Sequence, residues 1–580
     1  MNFEIHGNVV YKSVLWRTEE LCQLKRKFDF FLHKEKIHVT FTLALAMERT
    51  PILLIAIMSL LDQGIVFLPI DKELPPERLQ YMLKTAEVDY IITDGKWIQK
   101  RMVNCPVLFF DPQKIEIQPE AVTGRAAVSQ DLAYLLYTSG TTGRPKAVEV
   151  RREGLLNFIQ AILEEIDFPY ETRIACCTSK MFDIFFLESV LALCAGMTVV
   201  LANEDERKNP RMVCKLLLDE NVNVIQMTPS YLQMIQSVDP EYYCLRRMKV
   251  IMVGGESFPL LLLEKLKAAT NAKIYNMYGP TETTIWSLIA DLTNCQEVVI
   301  GHPVRETAVY ILSENEETVE EGEVGEICIS GMGVARGYRN HEEQAQKSFK
   351  TLMFGKRAIR IYKTGDLGYK RSDGNYICLG RKDNQIKILG HRIELEEIDE
   401  CMKQISYINN AVSCLKEDVH GKKIICFYIA EEEKFEEDLR KDLADKLPAY
   451  MLPANFVKVE DFLYTISSKI DRNAMVHRYC EEYVEEPEKN LDKKGGSGEW
   501  VIRCLGNCLE TNKRDIGFDT PIETLGIDSL TYINFIVQAE EELDIEIDDE
   551  YLASGSFSTV GNIIKYFDQL RGMESLSWIE

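Results

Sequence analysis

The sequence is poor in the features that would tie a chain to a membrane, a nucleic acid or an oxidising compartment. Its longest apolar run, Ile52 to Met58 and on to Leu61, is too short to span a bilayer. The opening MNFEIHGNVV has no basic stretch followed by an apolar one. Positive charge is scarce: 67 Lys plus Arg against 91 Asp plus Glu give a formal net charge of −24, a field that repels nucleic acid and anionic lipid. The 16 cysteines are scattered, with one adjacent pair (Cys176, Cys177), one CxxxC (Cys504, Cys508), and neither CxxC pairs nor Cys/His groupings of zinc spacing. Reduced, mostly buried thiols are expected. Internal repeats and low-complexity tracts are also missing. These absences point to a soluble, cytoplasmic protein with no nucleic-acid or membrane partner, in which any anionic substrate is held by a local site.

What is present is a chain of 580 residues, 46% hydrophobic, enough for about three to four domains of roughly 150 residues each. Between residues 50 and 380, short β-rich runs (VDYIIT, MTVVLA, VNVIQM, KVIMVGG, AKIYNMYG) alternate with segments of helical length, which predicts stacked α/β layers. From about 301 the strands become glycine-punctuated (GEVGEICISG, YKTGDLGYK, GNYICLGR), as in smaller antiparallel sheets. A second unit is expected near Asp383, where GHRIELEEIDE opens a helix and KKIICFYIAEE reads as a strand. EEPEKNLDKKGGSGEW, 485–500, has linker composition. Beyond it lie about 75 residues of helical patterning with an acid cluster from Glu540 to Glu550, whose plain reading is a solvated helix face.

The strongest chemical signal is Tyr137-Thr138-Ser139-Gly140-Thr141-Thr142-Gly143-Arg144-Pro145-Lys146, directly after the apolar DLAYLLY. Hydroxyls and glycine amides in such a turn can wrap a polyphosphate, and Lys146 adds a mobile positive charge. The spacing is not that of the nucleotide loop GxxxxGK[ST]. This segment resembles the phosphate loop of the adenylate-forming superfamily, which comprises acyl-CoA and aryl-acid ligases, luciferases and the adenylation domains of nonribosomal peptide synthetases. Ala147 stands where that family usually has Gly. Further segments arrive in the family's order: Asn276-Met277-Tyr278-Gly279-Pro280-Thr281-Glu282, Tyr362-Lys363-Thr364-Gly365-Asp366, Gly380-Arg381-Lys382-Asp383, and Ser468-Lys469-Ile470-Asp471-Arg472.

The resemblance implies ATP and Mg²⁺ as cofactors and a role for each residue. Thr138 to Gly143 would hold phosphates, and Thr281 of the adenine-site turn would also bind the nucleotide. Tyr278 would stack on adenine beside Gly279, Asn276 would bond its amino edge, and Glu282 would help hold Mg²⁺. Asp366 would accept both ribose hydroxyls, and Arg381 would reach the nucleotide. Asp383 would be the hinge of a mobile subdomain carrying the catalytic Lys469, a point charge between carboxylate and α-phosphate that acts with Lys146. The implied fold is α/β: a large N-terminal subdomain at 1–382, a small mobile α+β C-terminal subdomain at 383–484, a linker at 485–499, and a helical-bundle carrier domain at 500–574. The first 50 residues match the family poorly.

Met181-Phe182-Asp183-Ile184-Phe185-Phe186 resembles the segment that sets an aspartate opposite the α-ammonium in amino-acid-activating members. A buried carboxylate needs a cation, so Asp183 favours an α-amino acid. Carried across by motif, the substrate-binding set is Asp183, Ile184, Leu187, Gln226, Ile251, Val253, Met277, Ile285 and Trp286, with Lys469. These are mostly large residues, and they leave room for glycine, with alanine or β-alanine as alternatives. Leu525-Gly526-Ile527-Asp528-Ser529-Leu530 resembles a carrier attachment motif, with Ser529 bearing covalent 4′-phosphopantetheine. Partners then include a phosphopantetheinyl transferase and downstream condensation or other synthetase modules in trans. Two rival readings are an acyl- or aryl-CoA ligase and a non-catalytic scaffold.

Overall fold

The computed structural model describes residues 3–95, 97–98, 103–116, 131–140, 144–418, 421–430, 435–464 and 470–480. Beyond these it describes 498, 500–502, 504–505, 517–518, 520, 522, 535–536, 539–540, 543, 545, 547 and 559–570. Two compact units emerge. The first comprises Met1–Asn209, Val213–Leu232 and Glu241–Glu394, and the second Pro210–Met212, Gln233–Pro240 and Leu395–Glu580.

The predicted β-rich runs of the first unit become the strands of two mostly parallel sheets. One has six strands in the order Val107–Phe109, Tyr90–Thr93, Thr42–Ala46, Val66–Pro69, Leu132–Thr138 and Lys146–Arg151, only the last pair being antiparallel. The other has nine, with Lys273–Tyr278, Val250–Gly254, Val224–Met227, Arg173–Cys176, Thr198–Leu201 and Asn8–Tyr11 running parallel between antiparallel edges. A single apolar cluster unites Leu43 and Phe67 of the first sheet, Ile174 and Val199 of the second, and Leu54, Phe158 and Phe185 of intervening helices. The apolar run noted in the sequence is the helix Pro51–Gln63. It starts with Pro at its first turn, ends at Gly64 in the left-handed conformation (φ 71°) and is buried on nearly all sides. No described helix is long and apolar enough to cross a membrane. The Gly-punctuated strands from Thr307 to Arg381 form the expected antiparallel sheet, of five strands.

The N-terminus, where no family motif is legible, is part of this core. Asn8–Tyr11 pairs in parallel with Thr198–Leu201, and Leu21, Phe28 and Phe31 of the helix Thr18–Lys34 join the central cluster. Just past the Thr42–Ala46 strand, the fully buried Arg49 donates to the carbonyls of Ala202, Thr178 and Cys176, each at 2.7 Å. Its guanidinium lies 5.1 Å from the Phe185 ring. One side chain thereby ties the six-stranded sheet to the ends of two strands of the nine-stranded one.

In the second unit, Asn410–Asp418, Gly421–Ile429 and Asn455–Lys458 form a three-stranded sheet. Arg472, which opens the helix Arg472–Cys480, pairs with Asp399 at 3.0 Å and Glu396 at 3.2 Å. A separate apolar cluster holds Trp500, Val501, Leu505, Phe535, Ile536, Ile563 and Phe567, the last two from the helix Val560–Leu570. All cysteines among the described residues are free thiols.

Arg49→Met would leave three buried carbonyls unpaired, each at a cost of about 1–3 kcal/mol. The expected result in urea denaturation is a markedly lower midpoint for the first unit, with Arg49→Lys intermediate. An unshifted Arg49→Met midpoint would contradict the clamp.

Candidate active site

The phosphate-loop segment joins two antiparallel strands in which Thr138 opposes Lys146. Gly140 is required by close approach, since a Cβ there would lie 2.1 Å from the Arg144 carbonyl oxygen. The Thr138 hydroxyl is buried and has no hydrogen-bond partner, and Ser139 Oγ donates to the Arg392 carbonyl at 2.8 Å. Thr141, Thr142 and Gly143 lie outside the described residues.

Lys146 departs from the mobile charge expected of it, because it opens a strand and its stem is fixed in the ladder. It is buried, its Nζ donates to Tyr338 Oη at 3.1 Å, and it lies 3.8 Å from Glu282 Oε1. Burial pushes its pKa down to about 8, against the pull of Glu282. Glu282, in a short 3₁₀ turn after Pro280, is fully buried. Its Oε1 accepts from Tyr338 Oη at 2.8 Å and its Oε2 from Arg392 Nη1 at 2.9 Å. Burial alone would raise its pKa, but Arg392, Lys146 and the Tyr338 hydroxyl hold it down at about 2.

The residues assigned to adenine and ribose come together. Tyr278 Oη donates to Asp366 Oδ2 at 2.5 Å, and Asn276 Nδ2 donates to the Val299 carbonyl at 2.8 Å, leaving its oxygen to accept. Arg381 Nη1 reaches Asp366 Oδ1 at 3.2 Å and the Thr364 carbonyl at 2.6 Å, and Nη2 reaches Asp383 Oδ2 at 2.6 Å. Gly279 sits under Ile285 and Trp286, where a Cβ would come within 2.5 Å of the Ile285 carbonyl oxygen.

Asp183 is buried, and its Oδ2 has no hydrogen-bond partner. Burial pushes its pKa up to about 6, although the Thr281 side chain bonds it. Ile184, Leu187, Met277, Ile285 and Trp286 share one apolar cluster. Trp286 is delivered by two non-glycine residues of positive φ, Thr284 (64°) and Ile285 (68°), a strained pair that the surrounding packing must hold. Gln226 Nε2 donates to the Met227 carbonyl, while its Oε1 and Trp286 Nε1 are buried and unpaired.

Two of the expected lining residues are displaced by one position. Side chains alternate along a strand, and it is Met252, not Ile251 or Val253, that joins the cluster of Trp286 and Met277. Met252 lies in register with Gln226. A Cβ on Gly254 would sit 2.8 Å from Trp286 Cη2. The face shared with Trp286 thus carries Met252 and Gly254, while Ile251 and Val253 point the other way. Strand alternation counted back from Gly254-Gly255 was the available signal. Tyr338 and Arg392 were also missed as site residues. Arg392 lies within the quoted GHRIEL segment, but nothing local marks either as a partner of Glu282.

Mg²⁺ at Glu282 does not fit the site in this arrangement. Both carboxylate oxygens already accept hydrogen bonds, one from a guanidinium, and Lys146 adds a second positive charge. Lys469 and Ser529 lie outside the described residues.

Residues 30–339 match the family model "AMP-binding enzyme", and residues 499–567 match "Phosphopantetheine attachment site". The chain is 34% identical over 444 residues to a dimodular nonribosomal peptide synthase of Bacillus subtilis, covering 74% of this chain and 18% of that protein. It is 34% identical over 474 residues to gramicidin S synthase 2 of Brevibacillus brevis, covering 81% and 11%. The chain therefore spans less than a fifth of the length of these curated relatives. Among solved structures, a holo nonribosomal peptide synthetase protein with adenylation and carrier domains, bound to a vinylsulfonamide inhibitor, aligns with TM-score 0.78 at 21% identity, over 98% of this chain and 94% of that one. A holo four-domain nonribosomal peptide synthetase bound to AMP and glycine aligns with TM-score 0.60 at 28% identity, over 98% and 42%.

A lysine with its pKa depressed to about 8 is charged below that pH and neutral above it. Affinity for a polyphosphate nucleotide is therefore expected to fall between pH 7 and 9. Lys146→Met should bind more weakly at pH 7 and show a flattened profile. Calorimetric titration with ATP at a series of pH values checks this, and an unchanged profile in Lys146→Met would contradict it.

Proposed function

Because the chain belongs to the AMP-binding enzyme family and carries a phosphopantetheine attachment site, we propose that it activates a small α-amino acid, glycine foremost, and loads it onto its own carrier domain. The amino acid's carboxylate attacks the α-phosphorus of ATP, forming the aminoacyl adenylate and expelling pyrophosphate. Ser529 would hold a phosphopantetheine, whose thiol would supply the acceptor chemistry for the aminoacyl group, with AMP as the leaving group. The proposed division of labour is 1–382 and 383–484 for activation, 485–499 as a tether and 500–574 as carrier. Asp383 serves as the hinge, Lys469 is the cation that meets the reacting carboxylate, and Mg²⁺ is the metal expected for the nucleotide. A condensation or other synthetase module in trans would be the partner that receives the aminoacyl group.

The observation that carries the amino-acid reading is the unpaired oxygen of Asp183. A buried carboxylate with one oxygen unsatisfied is costly until a cation arrives, and an α-ammonium supplies one where an aryl or fatty acid does not. The unpaired Gln226 Oε1 is a second acceptor of the same kind. Two features support glycine. Gly254 admits the Trp286 ring to the face where a substrate side chain would lie, and the four-domain relative was solved with glycine bound.

Three outcomes are expected. In ATP–pyrophosphate exchange across the proteinogenic amino acids, β-alanine and a few aryl acids, glycine dominates, and Trp286→Ala shifts preference toward larger side chains. Exchange confined to acids without an α-amino group would reverse the assignment of Asp183. Since that carboxyl is charged above about pH 6 and neutral below, glycine-dependent exchange falls as the pH drops through 6, and Asp183→Asn is poor at every pH. Finally, Ser529→Ala spares exchange and abolishes covalent loading of radiolabelled amino acid, whereas Lys469→Ala impairs adenylate formation itself. Normal loading of Ser529→Ala would overturn the carrier assignment.

A further inference from the structure

The segment that delivers Asp183 is held by buried charged groups to which no role has been assigned. After the strand Arg173–Cys176 the chain turns through Thr178, Ser179, Lys180 and Phe182 to Asp183, where the helix Ile184–Phe186 begins. That helix widens at once into a π turn, Leu187–Leu191, before it resumes as Ala192–Cys194, and such a turn redirects the side chains it carries. Glu188, in the π turn, is fully buried, as are its neighbours Leu187, Ser189 and Val190. Its two carboxylate oxygens divide Thr178 between them: Oε2 accepts from the Thr178 amide at 2.9 Å and Oε1 from the Thr178 hydroxyl at 2.5 Å. Burial pushes its pKa up to about 7, against the Thr178 bonds and the charge of Arg49. A buried ionisable group is costly, and an apolar residue of similar size would fill the space without that cost. What Glu188 supplies beyond packing is the pair of bonds to Thr178.

Other groups tie the same turn to the six-stranded sheet. Arg49 donates to the Cys176 and Thr178 carbonyls, and the buried Lys180 donates to the Met47 carbonyl at 2.7 Å and pairs with Asp71 at 3.2 Å. Within the turn, the Phe182 amide donates to the Ser179 carbonyl at 3.0 Å and the Phe186 amide to the Asp183 carbonyl at 2.9 Å. Glu188 adds the tie that runs from the start of the turn to the helix at its end. Asp183 needs this support. The Thr281 side chain bonds its carboxyl, but the oxygen that awaits a cation has no partner, so the backbone must supply the rest of its aim. We propose that Glu188 is a positioning residue for Asp183: by clamping Thr178 to the helix it closes the segment on itself and fixes the direction of the carboxylate that meets the substrate's α-ammonium. The inference rests on reading Asp183 as the ammonium-binding group of the activation site. It adds a residue that touches neither substrate nor nucleotide and acts through Asp183 alone.

The test is ATP–pyrophosphate exchange by the full chain, with KM measured separately for ATP and for glycine, or for whichever amino acid exchanges best. Glu188→Met, which removes the clamp without leaving a buried charge, is expected to raise the amino-acid KM about tenfold while the KM for ATP stays at the parent value. Glu188→Gln should recover most of that loss, because its carbonyl oxygen still accepts from the Thr178 amide and its amino group can donate to the hydroxyl. Thr178→Val removes one of the two bonds from the other side and is expected to raise the amino-acid KM about threefold. It carries the test by itself if Glu188→Met does not fold. A merely structural role would move both KM values together or lower kcat alone, and either pattern would overturn the positioning role, as would an amino-acid KM unmoved in a folded variant or a loss that Glu188→Gln does not repair. A parent protein inert toward every amino acid would instead sink the activation reading and this inference with it, whereas an active parent with indifferent variants sinks this inference alone.

Discussion

One buried carboxylate organises the site. Glu282 has no access to water, and an ionised carboxylate so placed is tolerated only if cations and donors surround it. Its partners come from distant parts of the chain: Lys146 from the strand after the phosphate loop, the Tyr338 hydroxyl from a loop after the Gly325–Gly331 strand, and Arg392 from the hairpin of Gln385–Ile388 and His391–Glu394. Meeting that one requirement brings the phosphate loop, the adenine-site turn and the hairpin to a common point. The same crowding strips Lys146 of water, so a residue that reads in the sequence as a freely moving charge is instead a buried lysine with a lowered pKa.

Close packing then fixes the neighbouring geometry. Gly140 and Gly279 occupy positions where a side chain would strike a carbonyl oxygen, so the phosphate loop and the adenine-site turn can approach their surroundings closely. Thr284 and Ile285 pay in backbone strain for the placement of Trp286, and Gly254 leaves the space that ring fills. Arg49 joins the two sheets on which these elements ride. Within this packed frame Asp183 and Gln226 keep unpaired acceptor oxygens, as the Thr138 hydroxyl and Trp286 Nε1 are also left without a partner.

Much of this was legible in order along the chain. The β-rich runs read off residues 50 to 380 are strands of the two parallel sheets, because continuous apolar runs suit strands buried on both faces. The nucleotide-side residues Asn276, Tyr278, Asp366 and Arg381 were named from short motifs and lie together. The first 50 residues offered no motif, yet they supply an inner strand of one sheet and Arg49. Their role is to pack, and packing leaves no compact signature. The lining strand was read one residue out of phase because a motif fixes position along the chain but not which face a side chain takes, and a one-residue error in a strand exchanges the two faces.

By itself, then, the sequence determined the α/β class, the family, and the short segments carrying Ser139, Asn276, Tyr278, Asp366 and Arg381, as well as the buried Asp183. These depend on local patterning, backbone geometry and the chemistry of contiguous residues. Only the tertiary structure decided that Met252 and Gly254 face Trp286, that Lys146 is buried, and that Tyr338 and Arg392 complete the environment of Glu282. Those facts belong to contacts between residues more than a hundred positions apart in several cases, whose partners are chosen by burial and charge balance rather than by anything adjacent in the chain.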